Sequence, residues 1–328
     1  MRVNSGKGRH HIAKKRADKA ETIEALVAFI DLLGFSERVL AVRSRGDLAR
    51  VVQSVRKIRD YFDYKPTDRT TREAQEISNT EVLAFSDCVV VSIGLRSPAT
   101  EVQGEFDIWA HDISIMAHLQ GAAVASGHFL RGGLDKGLWY HDRAGVLVSP
   151  ALVKAYRLEQ AAKYPVLAVT ESLYRFLRSH PGRKVYSRNL DPFPKMFRSF
   201  ADSAGKRIRY LNYIEQLLAN LDWQFDQATV QAHRAASPED RDAIVLHGYR
   251  RNMERFFLNH KKEIEAAHRA ARGERVKEKY AFLRDYHNEI LRKYMPDRDD
   301  LMVTSSRART TRIDRRGAGW SRKLRQKK

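Results

Sequence analysis

The sequence has one cysteine, Cys88, and no apolar run as long as the roughly 18 residues of a membrane span. A single cysteine excludes an intrachain disulfide, and it gives no sign of an oxidising compartment. No secretory signal pattern is present at the start of the chain. We therefore expect a cytoplasmic protein. Hydrophobic residues make up 43% of the 328 residues, which is enough for one large domain or two modest ones.

The net charge of +20 is concentrated at the two ends of the chain. Residues 1–20 carry a net charge of +6 and residues 307–328 carry +9, which leaves +5 for the rest. Both ends lack hydrophobic periodicity, so the sequence predicts disordered basic tails over 1–22 and 297–328. Such tails can contact nucleic acid or an anionic membrane through screened charge, and they can equally be solvated ends without a partner.

Hydrophobic patterning in the first 135 residues alternates between strand and helix periods, in the order β-α-β-β-α-β. The predicted elements are a strand at 25–31, a helix through 48–62, a loop at 63–79, a hairpin or one bent strand at 81–93, a helix at 104–124 and a strand at 128–134. Farther on, the pattern predicts strands at 137–140 and 166–169, helices at 149–162 and 171–178, and helices from about 205 to 295 with a break near Ser237.

This order is that of the ferredoxin-like or palm arrangement, an antiparallel sheet with helices on one face, which belongs to the α+β class. In that arrangement the first and third strands are antiparallel neighbours. The end of the first strand, where Asp31 lies, is then beside the turn between the second and third strands, where Asp87 lies. The topology therefore predicts that the two carboxylates converge. Residues 23–180 are expected to form this domain, followed by a helical extension over 181–296.

A carboxylate in an apolar run is costly to bury unless it is paired or binds a metal ion. Because oxygen ligands favour hard cations, Asp31 and Asp87 predict a site for Mg²⁺ or Mn²⁺ shared with substrate phosphates. The segment Leu32-Leu-Gly-Phe35 leads into the first helix, where backbone amides can bind a triphosphate and Gly34 lets the backbone come close to it. The alternative is that each aspartate only caps a helix or a turn. Cys88, next to Asp87, is expected to be a small buried hydrophobe.

Several segments in order resemble a known family. The segment Phe29-Ile-Asp-Leu-Leu-Gly-Phe35 resembles the first metal-binding motif of class III nucleotide cyclases, and Phe85-Ser-Asp-Cys-Val-Val90 resembles the second. The set is most similar to the bacterial pyrimidine cyclases of the Pycsar antiphage system. The resemblance spans residues 24 to about 292, and its further segments are Arg131-Gly-Gly-Leu-Asp-Lys-Gly137, Val148-Ser-Pro-Ala-Leu-Val-Lys-Ala-Tyr-Arg-Leu-Glu159, Lys163-Tyr-Pro165 and Glu278-Lys-Tyr-Ala-Phe-Leu-Arg-Asp-Tyr-His-Asn288.

The resemblance implies a metal-dependent cyclisation. Asp31 and Asp87 would hold two divalent ions, Mn²⁺ or Mg²⁺, with the backbone carbonyl of Leu32 as a further ligand. Phe29 shares a strand face with Asp31 and would contact the nucleotide, and Arg131 would contact phosphate. The ribose 3′-hydroxyl of a ribonucleoside triphosphate would attack the α-phosphate, which gives a 3′,5′-cyclic nucleotide and pyrophosphate. Family members act as homodimers with the active site between the subunits.

Some positions allow a second interpretation. Adenylate and guanylate cyclases of class III carry an asparagine and an arginine four residues apart on the helix equivalent to 149–162. Arg157 matches the arginine and would stabilise charge at the transition state, unless it is an ordinary exposed arginine. Val153 stands in place of the asparagine, which favours the pyrimidine branch. Arg131 lies in the predicted strand at 128–134, beside glycines, and can instead pair with an acid in the core. Lys154 is a candidate only as a surface residue.

The leading hypothesis is a uridylate cyclase that converts UTP to cyclic UMP with Mn²⁺ or Mg²⁺. By family implication, the cyclic nucleotide would activate a separate effector protein in antiviral defence. CTP as the substrate stays open, and so does a purine-using class III cyclase. A function of a different class also stays open, a catalytically silent palm domain that binds RNA or DNA through its basic tails.

Overall fold

The computed structural model describes residues 22–62, 77–187 and 189–304. All but the last residue of the tail predicted over 1–22 lies outside these residues, as do most of the tail predicted over 297–328 and most of the loop predicted at 63–79. Within the described ranges, no helix is both long and apolar enough to cross a membrane.

The strands of the described residues form one mixed sheet. They are β1 (Ile23–Leu32), β2 (Thr80–Phe85), β3 (Cys88–Gly94), β4 (Leu130–His141), β5 (Leu147–Val148), β6 (Leu167–Val169), β7 (Phe197–Ala201) and β8 (Arg207–Leu211). Their spatial order is β2-β3-β1-β4-β6-β8-β7, and β5 pairs with β4 outside this path. β1 is antiparallel to both of its neighbours, β3 and β4, whereas β4 and β6 are parallel.

Helices occupy both faces of the sheet, which corrects the expectation of helices on one face. They are α1 (Phe35–Leu40), α2 (Arg45–Phe62), α3 (Pro98–Gln103), α4 (Glu105–Ala125), α5 (Pro150–Ala162), α6 (Glu171–Ser179), α7 (Phe193–Met196), α8 (Tyr213–Ala219), α9 (Gln227–Ala235), α10 (Pro238–Ala270) and α11 (Glu274–Tyr294). Short 3₁₀ turns lie at Pro181–Val185 and Asp299–Leu301.

The two faces of β1 belong to two different cores. Leu26 and Ile30 point into the large core, which also contains side chains of α4 and α11. Val27 points to the other face, into a small core that α5 covers and against which Phe29 packs. Because successive side chains of a strand alternate between faces, Asp31 lies on the α5 side, next to Phe29.

The β-α-β-β-α-β order and the α+β class predicted from the sequence are confirmed. Of the two alternatives for 81–93, the hairpin is correct. β2 and β3 pair with each other across a turn at Ser86 and Asp87, in which Ser86 adopts a left-handed φ of 53°. The antiparallel pairing of the first and third strands, on which the convergence of Asp31 and Asp87 depends, is also confirmed.

Two predictions about strands are wrong. The strands expected at 128–134 and 137–140 are one continuous strand, β4, which runs through Gly137. Residues 207–211, expected to begin a helical region, form β8 and pair with β6 and β7. The alternation of Arg207–Leu211 is too short to stand out beside the long helices that follow. The sheet therefore continues past residue 180, into the region expected to be a helical extension.

The helical region begins at α8, and its break near Ser237 is confirmed. The Ser237 hydroxyl accepts a hydrogen bond from the amide of Asp240 and so caps α10. α10 and α11 then pack against each other as a helical hairpin. Residues 297–304, assigned to the tail from the sequence, pack on this hairpin instead, because Leu301 and Val303 are buried.

Candidate metal and nucleotide site

Asp31 and Asp87 lie together at one end of the sheet. Asp31 is the second-last residue of β1, and it is opposite Cys88 of β3 and Arg131 of β4. Asp87 lies in the β2–β3 turn, and its carbonyl accepts a hydrogen bond of 3.3 Å from the amide of Leu32. Ligand atoms of Asp31, Asp87 and Cys88 all lie within 4.8 Å of one another. The structure therefore places the two predicted carboxylates at one site.

The Asp31 carboxylate is buried and depends on its neighbours for compensation. Burial raises the pKa of Asp31 above its usual value, the hydrogen bond and charge of Arg131 lower it, and the nearby charge of Asp87 raises it again. Two acidic side chains held this close repel each other unless a cation lies between them. A divalent cation would favour both ionised carboxylates, so the donor set fits Mg²⁺ or Mn²⁺.

Cys88 is half-buried beside the two carboxylates, which corrects the expectation of an ordinary core hydrophobe. Its Sγ lies 3.9 Å from an oxygen of Asp31 and 3.8 Å from one of Asp87. Burial raises the pKa of the thiol to about 12, with the charges of the nearby acids acting in the same direction. A protonated thiol is a weak donor and a poor metal ligand, so the oxygen atoms dominate this site.

Arg131 pairs with buried acids, which was one of the two interpretations of this residue. Its Nε donates a hydrogen bond of 2.8 Å to Oδ2 of Asp31, and its Nη2 lies 2.8 Å from the same oxygen. Nε also lies 2.5 Å from Oε1 of Glu159. The guanidinium therefore bridges β1 and α5 at the end of the sheet where Asp87 lies.

Glu159 is the main residue of this site that the sequence analysis did not single out. It is 1% exposed, and it continues a buried stripe of α5 that contains Ala151 and Ala155. A carboxylate in line with small residues on the buried face of a helix is the sequence signal that points to it. Burial raises the pKa of Glu159, and the charge of Arg131 lowers it.

The close contact between α5 and β4 depends on Gly133. A Cβ atom at this position would lie 2.0 Å from the carbonyl oxygen of Ala155. Only glycine lets the backbone of α5 come this near to the strand. This contact sets the height of Glu159 above Arg131.

The loop after β1 offers fewer phosphate-binding amides than the sequence suggested. The amide of Leu32 donates to Asp87, and that of Leu33 donates to the carbonyl of Phe129 at 2.9 Å. Gly34 adopts a left-handed φ of 75° ahead of α1, which has only six residues. Any phosphate contact from this loop therefore falls to Gly34 and Phe35.

Three of the residues considered from the sequence lie on or beside α5, namely Phe29, Arg157 and Lys154. Phe29 is half-buried, and its ring contacts that of Tyr156 edge-on, with centroids 5.2 Å apart. Arg157 is exposed and makes no ion pair within 4 Å to any described residue. The structure therefore does not bring Arg157 to Asp31 within one chain. Lys154 lies 3.5 Å from the buried Asp135, so it is more than the bare surface residue expected.

α11 packs beside the same end of the sheet. The ring of Tyr280 contacts that of Phe129, with centroids 5.0 Å apart, and the hydroxyl of Tyr164 donates to Glu278 at 3.2 Å. Between these two contacts lies Lys279, whose pKa is lowered by burial and by the charge of Arg131. The C-terminal hairpin thus contributes a cation to the surroundings of the site.

Solved structures similar to this chain include nucleotide cyclases. The adenylyl cyclase CyaB from P. aeruginosa is 16% identical, with a TM-score of 0.36 over 59% of this chain and 95% of that chain. A bacterial light-regulated adenylyl cyclase is 17% identical, with a TM-score of 0.32 over 59% and 92%. The guanylyl cyclase Cya2 is 10% identical, with a TM-score of 0.34 over 58% and 92%. A scan of protein-family models and a search of curated proteins gave no match.

Similarity at these identities and TM-scores does not assign an activity, which has to be inferred from the side chains of the site. The basic tails, through which nucleic acid or membrane contact was expected, lie outside the described residues except for 297–304 and Thr22.

Proposed function

We propose that the protein is a nucleotide cyclase that converts UTP to 3′,5′-cyclic UMP and pyrophosphate. The observation that carries the proposal is the convergence of Asp31 and Asp87 at the end of β1, with Arg131 directly beside them. Two carboxylates within reach of one cation, next to a guanidinium, form a site for a metal-bound triphosphate.

The residues of this chain have separate tasks in the proposed reaction. Asp31 and Asp87 would hold two Mn²⁺ or Mg²⁺ ions, with the backbone carbonyl of Leu32 as a further ligand. When bound, these ions supply activation of the ribose 3′-hydroxyl and neutralisation of the phosphates. Arg131 would contact the triphosphate, and the face formed by Phe29 would contact the nucleoside.

Gly34 and Phe35 would approach the phosphates through their backbone, since a side chain at Gly34 would meet, among the described residues, only the carboxylate of Glu37, at 3.9 Å. This open space leaves room for a phosphate oxygen close to the main chain. Because α1 has only six residues, its helix dipole contributes little to phosphate binding.

A homodimer would supply Arg157. Val153, Tyr156 and Arg157 form an exposed face of α5, and the nearby Val148 and Leu138 are also exposed apolar side chains. Apolar side chains clustered on one surface are typical of a protein contact. Across such a contact, Arg157 would reach the site of the partner subunit and stabilise charge that develops on the phosphates.

The choice of UTP depends on the resemblance to pyrimidine cyclases and on Val153, which replaces the asparagine of the purine enzymes. The same resemblance underlies the proposed role in antiphage defence, in which the cyclic nucleotide activates a separate effector protein. CTP is the alternative substrate.

The test is to incubate the protein with ATP, GTP, CTP and UTP plus Mn²⁺, and to identify the products by mass spectrometry. We expect a cyclic pyrimidine monophosphate from the wild type and none from Asp31→Ala or Asp87→Ala. Asp60→Asn is the matched control, because Asp60 is exposed and its ion pair among the described residues is with its neighbour Arg59. A cyclic purine product would support the cyclase activity but reject a pyrimidine nucleotide as the substrate. Equal activity in the aspartate variants would reject the proposed site.

A further inference from the structure

Arg131 lies between two carboxylates that belong to different elements, Asp31 of β1 and Glu159 of α5. Its Nε–H is directed at Asp31, where it makes a hydrogen bond of 2.8 Å. Oε1 of Glu159 lies nearer to Nε, at 2.5 Å, yet it accepts no aligned hydrogen bond from the described residues. The charge of Arg131 therefore attracts the carboxylate of Glu159, but Oε1 of this carboxylate lacks a hydrogen-bond donor.

A buried acceptor without a donor is unfavourable, and for a carboxylate the cost is larger than for a neutral group. Oε1 of Glu159 is such an acceptor, on a side chain that is fully buried. A rotation of the Arg131 guanidinium away from Asp31 would direct N–H groups at this oxygen. Asp31 would then need another cation.

The charges at the site leave room for that cation. Asp31, Asp87 and Glu159 supply three negative charges, and Arg131 and the nearby Lys279 supply two positive charges. The net negative charge that remains favours a bound cation, and the ligand atoms that would hold it are those of Asp31 and Asp87. The unsatisfied oxygen of Glu159 and the charge imbalance thus point to the same occupant.

We infer that Arg131 exchanges its partner from Asp31 to Glu159 when a divalent cation binds, which makes Glu159 a positioning residue of the metal site. The inference rests on the metal site of the proposed function and not on the nucleotide or the reaction. Glu159 holds Arg131 at the edge of the site, so that Asp31 is released to the metal while the guanidinium stays within reach of a phosphate.

The exchange predicts the effect of Glu159→Gln. Without the negative charge of Glu159, Arg131 stays paired with Asp31 and competes with the cation. We expect Mn²⁺ affinity to fall at least about fivefold, the lower end of ordinary coupling between sites. The measurement is the free Mn²⁺ signal in electron paramagnetic resonance, taken on the full-length protein without nucleotide. Glu171→Gln is the matched control, because Glu171 is also paired with arginine but belongs to α6.

A negative charge near a metal site also attracts the cation directly, and a double-mutant cycle separates the two effects. If Glu159 acts through Arg131, then Glu159→Gln has little effect on Mn²⁺ affinity in an Arg131→Gln background. A fall of the same size in both backgrounds would overturn the exchange and leave simple charge attraction. Wild-type affinity in Glu159→Gln would overturn it as well.

A second measurement covers the case in which Arg131→Gln does not fold. The Nε–H resonance of Arg131, assigned by its loss in Arg131→Lys, should shift on titration of the wild type with Mg²⁺. An unchanged resonance at saturating Mg²⁺ contradicts the exchange. Mn²⁺ binding by Asp31→Asn separates a failure of the partner exchange from a failure of the proposed metal site. If the wild type binds no more Mn²⁺ than Asp31→Asn, the metal site is rejected, and the inference fails with it.

Discussion

His260 and His287 face each other between α10 and α11, with their Nδ1 atoms 2.8 Å apart. Nε2 of His287 lies 3.0 Å from the carbonyl of Leu301, which can only accept, so this nitrogen carries the proton. Nδ1 of the neutral His287 ring is then the acceptor, and His260 donates from its Nδ1. Nε2 of His260 accepts from the hydroxyl of Tyr213 at 2.8 Å. The geometry therefore fits two neutral rings.

This pair predicts that the protein loses stability in acid. Burial lowers the pKa of His287 to about 4 and that of His260 well below its usual value. Between pH 6.5 and 4 the unfolded chain binds more protons than the folded one, so the free energy of unfolding falls as pH falls. For His287 the loss is on the order of 3 kcal/mol when complete. Urea unfolding at pH 7.5, 6 and 5 measures it.

The variant His287→Gln should weaken this pH dependence, whatever it does to stability at pH 7.5. His247→Gln is the matched control, because His247 is exposed on α10. Identical slopes in the wild type and His287→Gln would contradict the assignment.

Tyr286→Phe should destabilise the protein without changing the shape of its core. The Tyr286 hydroxyl donates to Oδ1 of Asn212 at 2.7 Å and accepts from the amide of Ile214 at 3.1 Å, and all three residues are buried. Removal of the hydroxyl leaves a donor and an acceptor without a partner, at a cost of about 1–3 kcal/mol. Chemical denaturation checks the prediction. Tyr249→Phe, on the exposed surface of α10, is the control and should be neutral.

Gly133→Ala should separate α5 from β4. The added methyl group would lie 2.0 Å from the carbonyl oxygen of Ala155, so the helix has to move. We expect a loss of about 1–3 kcal/mol in the free energy of unfolding. Mn²⁺ binding should weaken too, because Glu159 moves with α5. Gly46→Ala is the control, since its added methyl group would lie 3.7 Å from Oγ of Ser44, at an ordinary contact distance. Equal stability of the two variants would show that the contact is looser than described.

Val153→Asp tests the proposed contact between subunits. Val153 is half-exposed on the outer face of α5, where a charge costs little in a monomer and a great deal in an apolar interface. We expect the variant to sediment as a monomer at concentrations at which the wild type is a dimer, and cyclase activity to fall with it. Val102→Asp is the matched control, an exposed valine on α3. A monomeric wild type would reject the dimer directly.

The sequence was sufficient to predict that Asp31 and Asp87 converge. Their convergence depends on strand order and on the alternation of side chains with a period of two within a strand. These features persist when element boundaries are misjudged by a few residues. It was not sufficient for Glu159, whose role depends on the height of α5 above β4. That height is set by a backbone contact at Gly133 that has no periodic signature.

The sequence also left Arg131 with two interpretations, phosphate contact or pairing with an acid. Which one applies depends on whether a carboxylate from another element comes within hydrogen-bond distance, which only the folded chain decides. β8 was missed for a related reason. Its alternation over Arg207–Leu211 is too brief to be distinguished from the helical pattern that follows.

α5 carries Val153 and Arg157 on its outer face and Glu159 on its inner face. If one helix serves both subunit contact and cation positioning, the two equilibria are linked, and the linkage is reciprocal. Mn²⁺ should then tighten self-association, and dilution of the protein should raise the Mn²⁺ concentration needed for half-saturation. The protein would then respond to its own concentration through a metal requirement that no single subunit displays.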